Sequence, residues 1–284
     1  MNDNQFVEYF ERKVRQTIKQ HKLLSKKDRI VVAVSGGKDS TTALHVLHKL
    51  GYEMEAMLID QLLGDYSRTN LSNIKKFCEN MGVKLRIIPM REEFGCSVCY
   101  MKSVLDGKGM RMNTCQICGV MRRSILNRRA REVKATKLVT GHNLDDEAQT
   151  FFMNMLHGNI NLSAKLGPTT GVLKDSRFIP RVKPLYYCLE AETTRYSKIN
   201  NFPVQYEPCP CSLDSFRTQV KKDLNKLEII NPGTKLNLVK GFLKILPKLK
   251  KQYKKTGELK YCSKCGEPSS QDKCKVCSLM ELMK

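Results

Sequence analysis

The residues with the clearest chemical potential form a short loop, SGGKDS at residues 35–40, directly after an apolar run. Its two glycines let the backbone turn tightly and bring N–H groups against an anion without a Cβ in the way. Lys38 adds a positive charge, and the hydroxyls of Ser35 and Ser40 can donate further hydrogen bonds. These features favour a phosphate-binding loop over a simple Gly-Gly turn with a polar helix cap.

Cysteines form the second chemical feature, with 12 in the chain and most of them in C-x2-C pairs. The last four have the spacing C-x2-C-x8-C-x2-C, which predicts a structural zinc site because four thiolates close a tetrahedral shell. We expect this small module to unfold without its metal. The four predicted zinc ligands are Cys262, Cys265, Cys274 and Cys277.

Two earlier cysteine pairs leave more than one interpretation open. Cys96, Cys99, Cys115 and Cys118 form C-x2-C-x15-C-x2-C, a spacing that fits a four-cysteine zinc site. Thiolates also hold iron–sulfur clusters, and a cysteine of low pKa could carry sulfur directly or form a disulfide. Isolated Cys78 and Cys188 lie in apolar surroundings and are expected to be buried small hydrophobic residues.

A second polar loop, GHNLDDEAQ at residues 141–149, contains two adjacent carboxylates. Asp145 and Asp146 could hold Mg²⁺ on nucleotide phosphates or orient an acceptor. The alternative is an acidic first turn of the following helix, where such residues are favoured. Gly141 and His142 are expected to line the nucleotide pocket.

The elements that must position these loops alternate between strand and helix. Apolar runs predict strands at residues 29–34, 55–59, 84–89 and 137–140, and amphipathic stretches predict helices at 4–24, 41–50, 67–81 and 119–133. This alternation predicts an α/β fold, a parallel sheet with helices on both faces. Ligands bind beyond the carboxyl ends of such strands, so loops 35–40 and 141–146 should open onto one cleft.

The remaining segments are predicted to be loops or extensions. We expect loops at residues 106–109, which should be mobile, and 168–184, followed by a helical and increasingly basic stretch at 211–255 in which Pro247 breaks or kinks a helix. The predicted domains are an N-terminal helix (1–26), a nucleotide-binding domain (27–210), a basic helical extension (211–257) and a zinc ribbon (258–284).

The charge balance favours a polyanionic partner, because 50 Lys and Arg residues oppose 28 Asp and Glu residues and give a net charge of +22. Anionic membranes would attract the same surface. The lysine-rich stretch at 240–255 could lie on RNA phosphates or form the solvated face of a packed helix. Since no long apolar run or leader-like segment is present, we expect a cytoplasmic protein.

These motifs together resemble those of a known enzyme family. SGGKDS after an apolar strand resembles the PP-loop of ATP pyrophosphatases, which split ATP between the α and β phosphates and adenylate a substrate. Together with TCQICGVMRR at 114–123 and GHNLDDEAQTFFMN at 141–154, it resembles the TtuA/NcsA family of tRNA 2-thiouridine synthases over nearly the whole chain. The closing cysteine segment looks like the zinc ribbon of that family, which the related TtcA family of 2-thiocytidine synthases lacks.

The resemblance implies ATP, Mg²⁺, zinc and a 4Fe–4S cluster whose fourth iron is open for sulfide. It places the cluster on Cys115, Cys118 and Cys209, although Cys211 could substitute for Cys209. Arg122 stands where the family has a lysine, and because arginine does not readily give up a proton, it suits phosphate or tRNA contact better than general-base catalysis. The family usually has another zinc finger before the first helix, which the sequence starting MNDNQF does not show.

The function implied is tRNA 2-thiolation, in which ATP adenylates the C2 oxygen of a uridine and sulfur then replaces it. Partners would be tRNA, a second copy of the chain as a homodimer, and a ubiquitin-like sulfur carrier or free sulfide as donor. The alternatives are thiolation of cytidine and a non-catalytic tRNA-binding zinc protein. The expected catalytic residues are Lys38, Cys115, Cys118, Asp145, Asp146 and Cys209. The expected nucleotide-binding residues are Ala33, Ser35, Gly36, Gly37, Lys38, Asp39, Ser40, Ile59, Gly141 and His142.

Overall fold

The centre of the fold is a five-stranded parallel sheet with the strand order β3-β2-β1-β4-β5. The structure is a computed structural model that describes residues 1–173, 175–212, 215–256 and 259–283. The strands are β1 (Ile30–Val34), β2 (Met54–Asp60), β3 (Leu85–Pro89), β4 (Lys137–Thr140) and β5 (Arg181–Val182), with a separate antiparallel pair, β6 (Lys260–Tyr261) and β7 (Pro268–Ser269).

Helices connect and cover these strands. In chain order they are α1 (Asp3–Gln20), α2 (Lys38–Lys49), α3 (Asp65–Asn80), α4 (Met90–Phe94), α5 (Val98–Gly107), α6 (Thr114–Glu132), α7 (Leu144–Leu156), α8 (Ile160–Ser163), α9 (Glu190–Ile199), α10 (Phe216–Ile230), α11 (Thr234–Thr256) and α12 (Lys275–Leu282). A 3₁₀ turn spans Pro210–Ser212. No helix in the described part of the chain is long and apolar enough to cross a membrane.

The central strand β1 is apolar throughout because both faces of the sheet are covered. Side chains alternate between the faces of a strand, so Ile30 and Val32 join one core, with Phe10 of α1, while Val31 joins the other, with Ile125 of α6. The predicted parallel α/β sheet with helices on both faces is confirmed.

The structure corrects three of the predicted elements. The cysteine-bearing helix begins at Thr114, not at residue 119, because Asn113 and Gln116 form a capping box that starts the helix earlier. Strand β5 lies inside the stretch predicted to be a loop, where two residues pair with β4. The helix α11 continues through Pro247, so the predicted break is wrong, while the alternative of a kink stays a prediction.

The C-terminal module packs on the main sheet through its helix. Leu279 of α12 is buried in the same core as Ile125 of α6, and Arg131 of α6 forms an ion pair with Glu267. The predicted boundary between the basic extension and the ribbon, at residues 257 and 258, lies outside the described residues. Cys78 and Cys188 are buried in the other core, as expected.

Candidate active site

The loop of residues 35–40 joins β1 to α2 and has a shape that requires glycine. Gly36 has a φ of 78°, and a Cβ there would lie 2.7 Å from the Cβ of Asn70. Gly37 is the N-cap residue of α2 and no side chain caps that helix. The first-turn N–H groups of α2 therefore remain available to an anion at the positive end of the helix dipole.

Two serines hold the shape of this loop. The buried Ser40 hydroxyl accepts a hydrogen bond from the Ser35 backbone N–H at 3.0 Å and donates to the Gly37 carbonyl at 3.1 Å. The Ser35 hydroxyl lies 3.2 Å from the Ser40 hydroxyl, and Ser35 itself is exposed. Ser40 thus positions the loop, while Ser35 presents its hydroxyl to the space above it.

Lys38 is turned towards carboxylates. Its Nζ atom lies 2.8 Å from Asp39 and 3.0 Å from Glu190 of α9. Burial by itself would lower the pKa of Lys38, but the charges of Asp39 and Glu190 outweigh it and raise the pKa. Lys38 is therefore a firmly protonated cation that ties the loop to α9, rather than a proton donor.

The second loop touches the first through Gly141. A Cβ on this residue would lie 2.6 Å from the Ser40 backbone nitrogen. Asn143 caps α7 in a capping box with Asp146 and also donates to Asp39 at 3.2 Å. The two loops that follow β1 and β4 therefore form one site, as the sequence predicted.

The two adjacent carboxylates of this loop have different surroundings. Asp145 is buried, accepts a hydrogen bond from the Glu190 backbone N–H at 2.7 Å and pairs with the buried ammonium of Lys235 in α11. Asp146 faces the open space of the site and lies 3.5 Å from Arg217 of α10. Only Asp146 is therefore placed to meet a ligand.

A cleft of about 630 Å³ lies beyond the carboxyl ends of β1, β2 and β4, where the fold predicts ligand binding. Most of the expected site residues line it, but Gly36, Gly37, Lys38 and Asp145 do not. The expected residues on its wall are Ala33, Ser35, Asp39, Ser40, Ile59, Cys115, Cys118, Gly141, His142, Asp146 and Cys209.

Three expected cluster cysteines reach this cleft from two elements. Cys115 and Cys118 lie one turn apart at the start of α6, and Cys209 immediately precedes the 3₁₀ turn. The Cys115 thiol donates to the backbone carbonyl of Cys211 at 3.4 Å, so this turn rests on the start of α6. Burial raises the pKa of both Cys115 and Cys118, with Cys209 as a further cause and Arg122 as an opposing one.

Cys211 is a fourth thiol on the same wall. It lines the cleft, and burial together with the neighbouring Cys209 and Cys99 raises its pKa to about 11. Cys96 instead donates to the Phe94 carbonyl at 3.5 Å and packs in the core below α6. Among the described residues, the four thiols of the first two C-x2-C pairs do not gather within the reach of a single ion, so this geometry does not favour the four-cysteine zinc alternative.

Among the residues that the structure describes, five cations line the cleft. Three of them, Arg181, Lys183 and Arg217, were not predicted because they lie far from any motif. Lys183 forms a buried ion pair with Glu147 of α7. His142 is exposed to the open cleft, and desolvation by the cleft walls, followed by the charges of Lys183 and Arg122, lowers its pKa. The other cations on the cleft wall are Arg122 and Arg123.

The last four cysteines form a compact group, with ligand atoms within 4.8 Å of one another. The Cys265 and Cys274 sulfurs are 3.7 Å apart, and the backbone N–H groups of Cys274 and Cys277 point at the sulfurs of Cys262 and Cys274. The N–H of Cys274 is the main cause that lowers the pKa of Cys262 to about 6, whereas burial raises the pKa of Cys265 and Cys277. Metal binding would therefore have to displace protons from those two thiols.

Comparison with known proteins places a phosphate-binding loop domain in the same part of the chain and identifies relatives over nearly its whole length. The PP-loop domain family matches residues 7–226. The chain is 39% identical over 282 residues to the tRNA-5-methyluridine(54) 2-sulfurtransferase of Pyrococcus horikoshii, a match that covers 99% of this chain and 88% of that protein. It is 31% identical to the tRNA 2-thiolation protein NcsA of Haloferax volcanii, with 98% and 92% covered.

A solved structure extends this similarity to the whole fold. The U34-tRNA thiolase NcsA from Methanococcus maripaludis, determined with its [4Fe-4S] cluster, matches with a TM-score of 0.80 and 30% identity. The match covers 97% of this chain and 87% of that chain. The similarity therefore includes both the sheet with its cleft and the C-terminal module.

Proposed function

This chain belongs to the PP-loop family, within the group of TtuA- and NcsA-type tRNA 2-thiolation proteins, and we propose that it 2-thiolates a uridine in tRNA with ATP. The C2 oxygen of the base attacks the α-phosphate of ATP and pyrophosphate leaves. A sulfur nucleophile then forms a bond to C2, and the C–O bond breaks so that AMP leaves with the oxygen. One observation carries the proposal: the cysteines of α6 and Cys209 line the same cleft as the phosphate-binding loop.

The protein supplies the charge and geometry for the first step. The uncapped N-terminus of α2 and the Ser35 hydroxyl provide donors for phosphate oxygens. Asp146 is the carboxylate that we assign to Mg²⁺, because it faces the cleft whereas Asp145 does not. Lys183 and Arg217 face the same space and would stabilise the negative charge that develops on the leaving pyrophosphate.

The donor set fits a 4Fe–4S cluster. Cys115, Cys118 and Cys209 face one cavity from two elements. Burial raises the pKa of both helix cysteines and Arg122 only partly offsets it, so binding to iron would have to displace the thiol protons. When bound, such a cluster supplies an iron that is not held by a protein thiolate and is open to sulfur. The role of the chain is to hold the three thiolates at the wall of the nucleotide cleft, where the activated base must arrive.

The tRNA base must leave its stack to enter this cleft, as bases do in other enzymes that act on them. The net charge of +22 would attract the RNA. The C-terminal cysteines would hold a structural zinc ion. A homodimer, and a ubiquitin-like carrier or free sulfide as the sulfur source, complete the proposal.

The test is anaerobic turnover with ATP, sulfide and unmodified tRNA, followed by mass spectrometry of the nucleosides. We expect AMP and a 2-thiouridine derivative to form in equal amounts, and only when tRNA is present. If 2-thiocytidine forms instead, the base assignment is wrong. If the iron-loaded protein forms no AMP with tRNA, the enzymatic function is refuted.

A matched pair of variants tests the cluster assignment. Cys209→Ala should lose iron and the broad absorbance of the cluster, and should abolish the thionucleoside. Cys211→Ala removes a thiol from the same wall and should retain about four iron atoms per chain. Loss of iron from Cys211→Ala together with retention in Cys209→Ala would transfer the ligand role to Cys211.

A further inference from the structure

A second cavity, of about 210 Å³, lies where the C-terminal module meets the main sheet. Its wall combines cationic, acidic, amide and aromatic side chains from four parts of the chain: α6, the segment leading into β5, residues 267–268 at β7, and the start of α12. The residues relevant here are Arg123, Asn127, Phe178, Arg181 and Lys275. Arg123 and Arg181 also line the main cleft, so they form the partition between the two spaces.

These two arginines lack an acidic partner among the described residues. Arg181 donates only to the backbone carbonyl of Arg123, at 3.3 Å. Burial, and then the charge of Arg123, lowers the pKa of Arg181 to about 10, and burial also lowers the pKa of Arg123. Three other arginines of α6 are paired by contrast, since Arg128 and Arg129 both contact Glu93 and Arg131 contacts Glu267.

Arg181 is half-buried without a counter-ion in the described part of the chain, and the exposed Arg123 places a second positive charge beside it. An anion bound between the two would offset this repulsion. Both side chains keep their charge at neutral pH because arginine remains protonated. Glu267, the carboxylate on the wall of this cavity, already pairs with Arg131 and does not neutralise them.

The opposite wall adds a helix terminus. Cys274, Lys275 and Val276, the N-cap and first residues of α12, face the cavity. The N–H groups of Cys274 and Cys277 donate to cysteine sulfurs, so the first-turn donors left for an anion are those of Lys275 and Val276 at the positive end of the helix dipole. The exposed Lys275 brings a third cation. Cations from two separate parts of the fold therefore converge on one small space.

We infer that this cavity binds a phosphate group of the tRNA backbone and so fixes the RNA next to the thiolation cleft. The inference rests on the proposed function, because it assumes that tRNA is the substrate. Planar guanidinium groups suit phosphate oxygens, and Phe178, which is 40% exposed, offers a surface on which an unpaired base could stack. Since Arg123 and Arg181 border both spaces, a phosphate held here would lie one side chain away from the reacting base.

The test is equilibrium binding of tRNA over a series of salt concentrations. Arg123→Gln, Arg181→Gln and Lys275→Gln should each weaken binding several-fold for every tRNA tested and should reduce the slope of log K against log salt by about one. Arg181→Lys, which keeps the charge, should keep the slope. ATP affinity, measured without tRNA, should stay at the wild-type value in Lys275→Gln, because Lys275 lines the second cavity but not the main cleft.

Arg68→Gln is the matched control, because Arg68 is an exposed arginine of α3 that already pairs with Asp65. Its salt slope should equal that of the wild type. If Arg181→Gln fails to fold by circular dichroism, Arg123→Gln and Lys275→Gln decide the question, since both side chains are exposed.

The outcomes separate this inference from the proposed function. If the wild type binds tRNA and all Gln variants keep its slope, the phosphate site is refuted while the thiolation proposal stands. A third outcome concerns inorganic phosphate. If phosphate stabilises the wild type but not the Gln variants against unfolding, and the tRNA salt slope is the same in all of them, the cavity binds a free anion and the RNA contact is refuted. A wild type that binds no tRNA refutes both.

Discussion

A Cβ atom on Gly141 would lie 2.6 Å from the backbone nitrogen of Ser40 and 2.7 Å from its Cα. The loop after β4 therefore rests directly on the loop after β1, backbone against backbone. This contact joins two segments that lie about a hundred residues apart in the sequence into one phosphate-binding surface. No side chain larger than hydrogen fits at position 141.

The first prediction follows from this contact. Gly141→Ala should push the two loops apart, because the obstructing atoms are backbone and cannot rotate away. We expect ATP affinity to fall by at least about tenfold, equivalent to about 1.4 kcal/mol. Isothermal titration calorimetry with a non-hydrolysable ATP analogue measures this affinity.

Gly241→Ala is the control for this prediction. Gly241 lies within α11, and a Cβ there meets no atom within 4 Å. Alanine is favoured over glycine in a helix by about 0.5–1 kcal/mol, so this variant should be slightly more stable and bind ATP normally. Unchanged ATP affinity in Gly141→Ala would show that the loops do not depend on each other.

The second prediction separates the two adjacent carboxylates. Asp145→Asn leaves the buried ammonium of Lys235 without its counter-charge, which should cost about 3–5 kcal/mol of unfolding free energy. Asp146→Asn keeps the capping geometry at the start of α7 and should change stability little, but should strongly reduce Mg²⁺-dependent AMP formation. Urea unfolding and a turnover assay distinguish the two effects, and equal loss of stability in both variants would contradict the division.

The third prediction concerns acid stability. His45 packs against Phe202 and Tyr196, and burial, followed by the charge of Lys49, lowers its pKa from 6.5 to about 4. The unfolded chain binds a proton here below pH 6.5, whereas the folded chain does so only near pH 4. Unfolding free energy should therefore fall as the pH drops from 6.5 to 4, by up to about 3 kcal/mol from this group.

His45→Asn removes the titrating group while leaving a polar side chain near the Tyr196 hydroxyl, which His45 contacts at 3.1 Å. The variant should be less stable at pH 7, because aromatic packing is lost, yet its stability should depend less on pH between 6.5 and 4. Denaturant titrations at several pH values measure this. A variant with the same acid dependence as the wild type would remove His45 as the cause.

The fourth prediction concerns metal in the C-terminal module. Cys274→Ser should abolish zinc binding, since four thiolates within 4.8 Å of one another form the site. Cys96→Ser should leave the zinc content unchanged, because Cys96 belongs to a different part of the core. Elemental analysis of both variants gives their zinc content. A loss of zinc from Cys96→Ser would support the alternative zinc site on Cys96, Cys99, Cys115 and Cys118.

The local elements of the sheet were predictable because periodicity and turn residues act over short distances. The apolar run of β1 and the segment of β4, Lys137–Thr140, were found almost to the residue. The two-residue strand β5 was missed, since nothing in Arg181–Val182 distinguishes it from a loop until it pairs with β4. The early start of α6 was missed because a capping box at Asn113 lies just outside the helical pattern.

The sequence by itself determined which functional groups this protein carries: a glycine loop for phosphate, cysteines at metal-binding spacing, and an excess of positive charge. Such motifs consist of residues that are close along the chain, so they can be recognised before the fold is known. Only the tertiary structure decided which groups meet. It turned Lys38 towards Glu190, paired Asp145 with Lys235, and placed Arg181 beside Arg123 with no acidic partner for either in the described part of the chain. Burial and charge pairing act between residues that are distant along the chain, so the pattern of one segment could not reveal them.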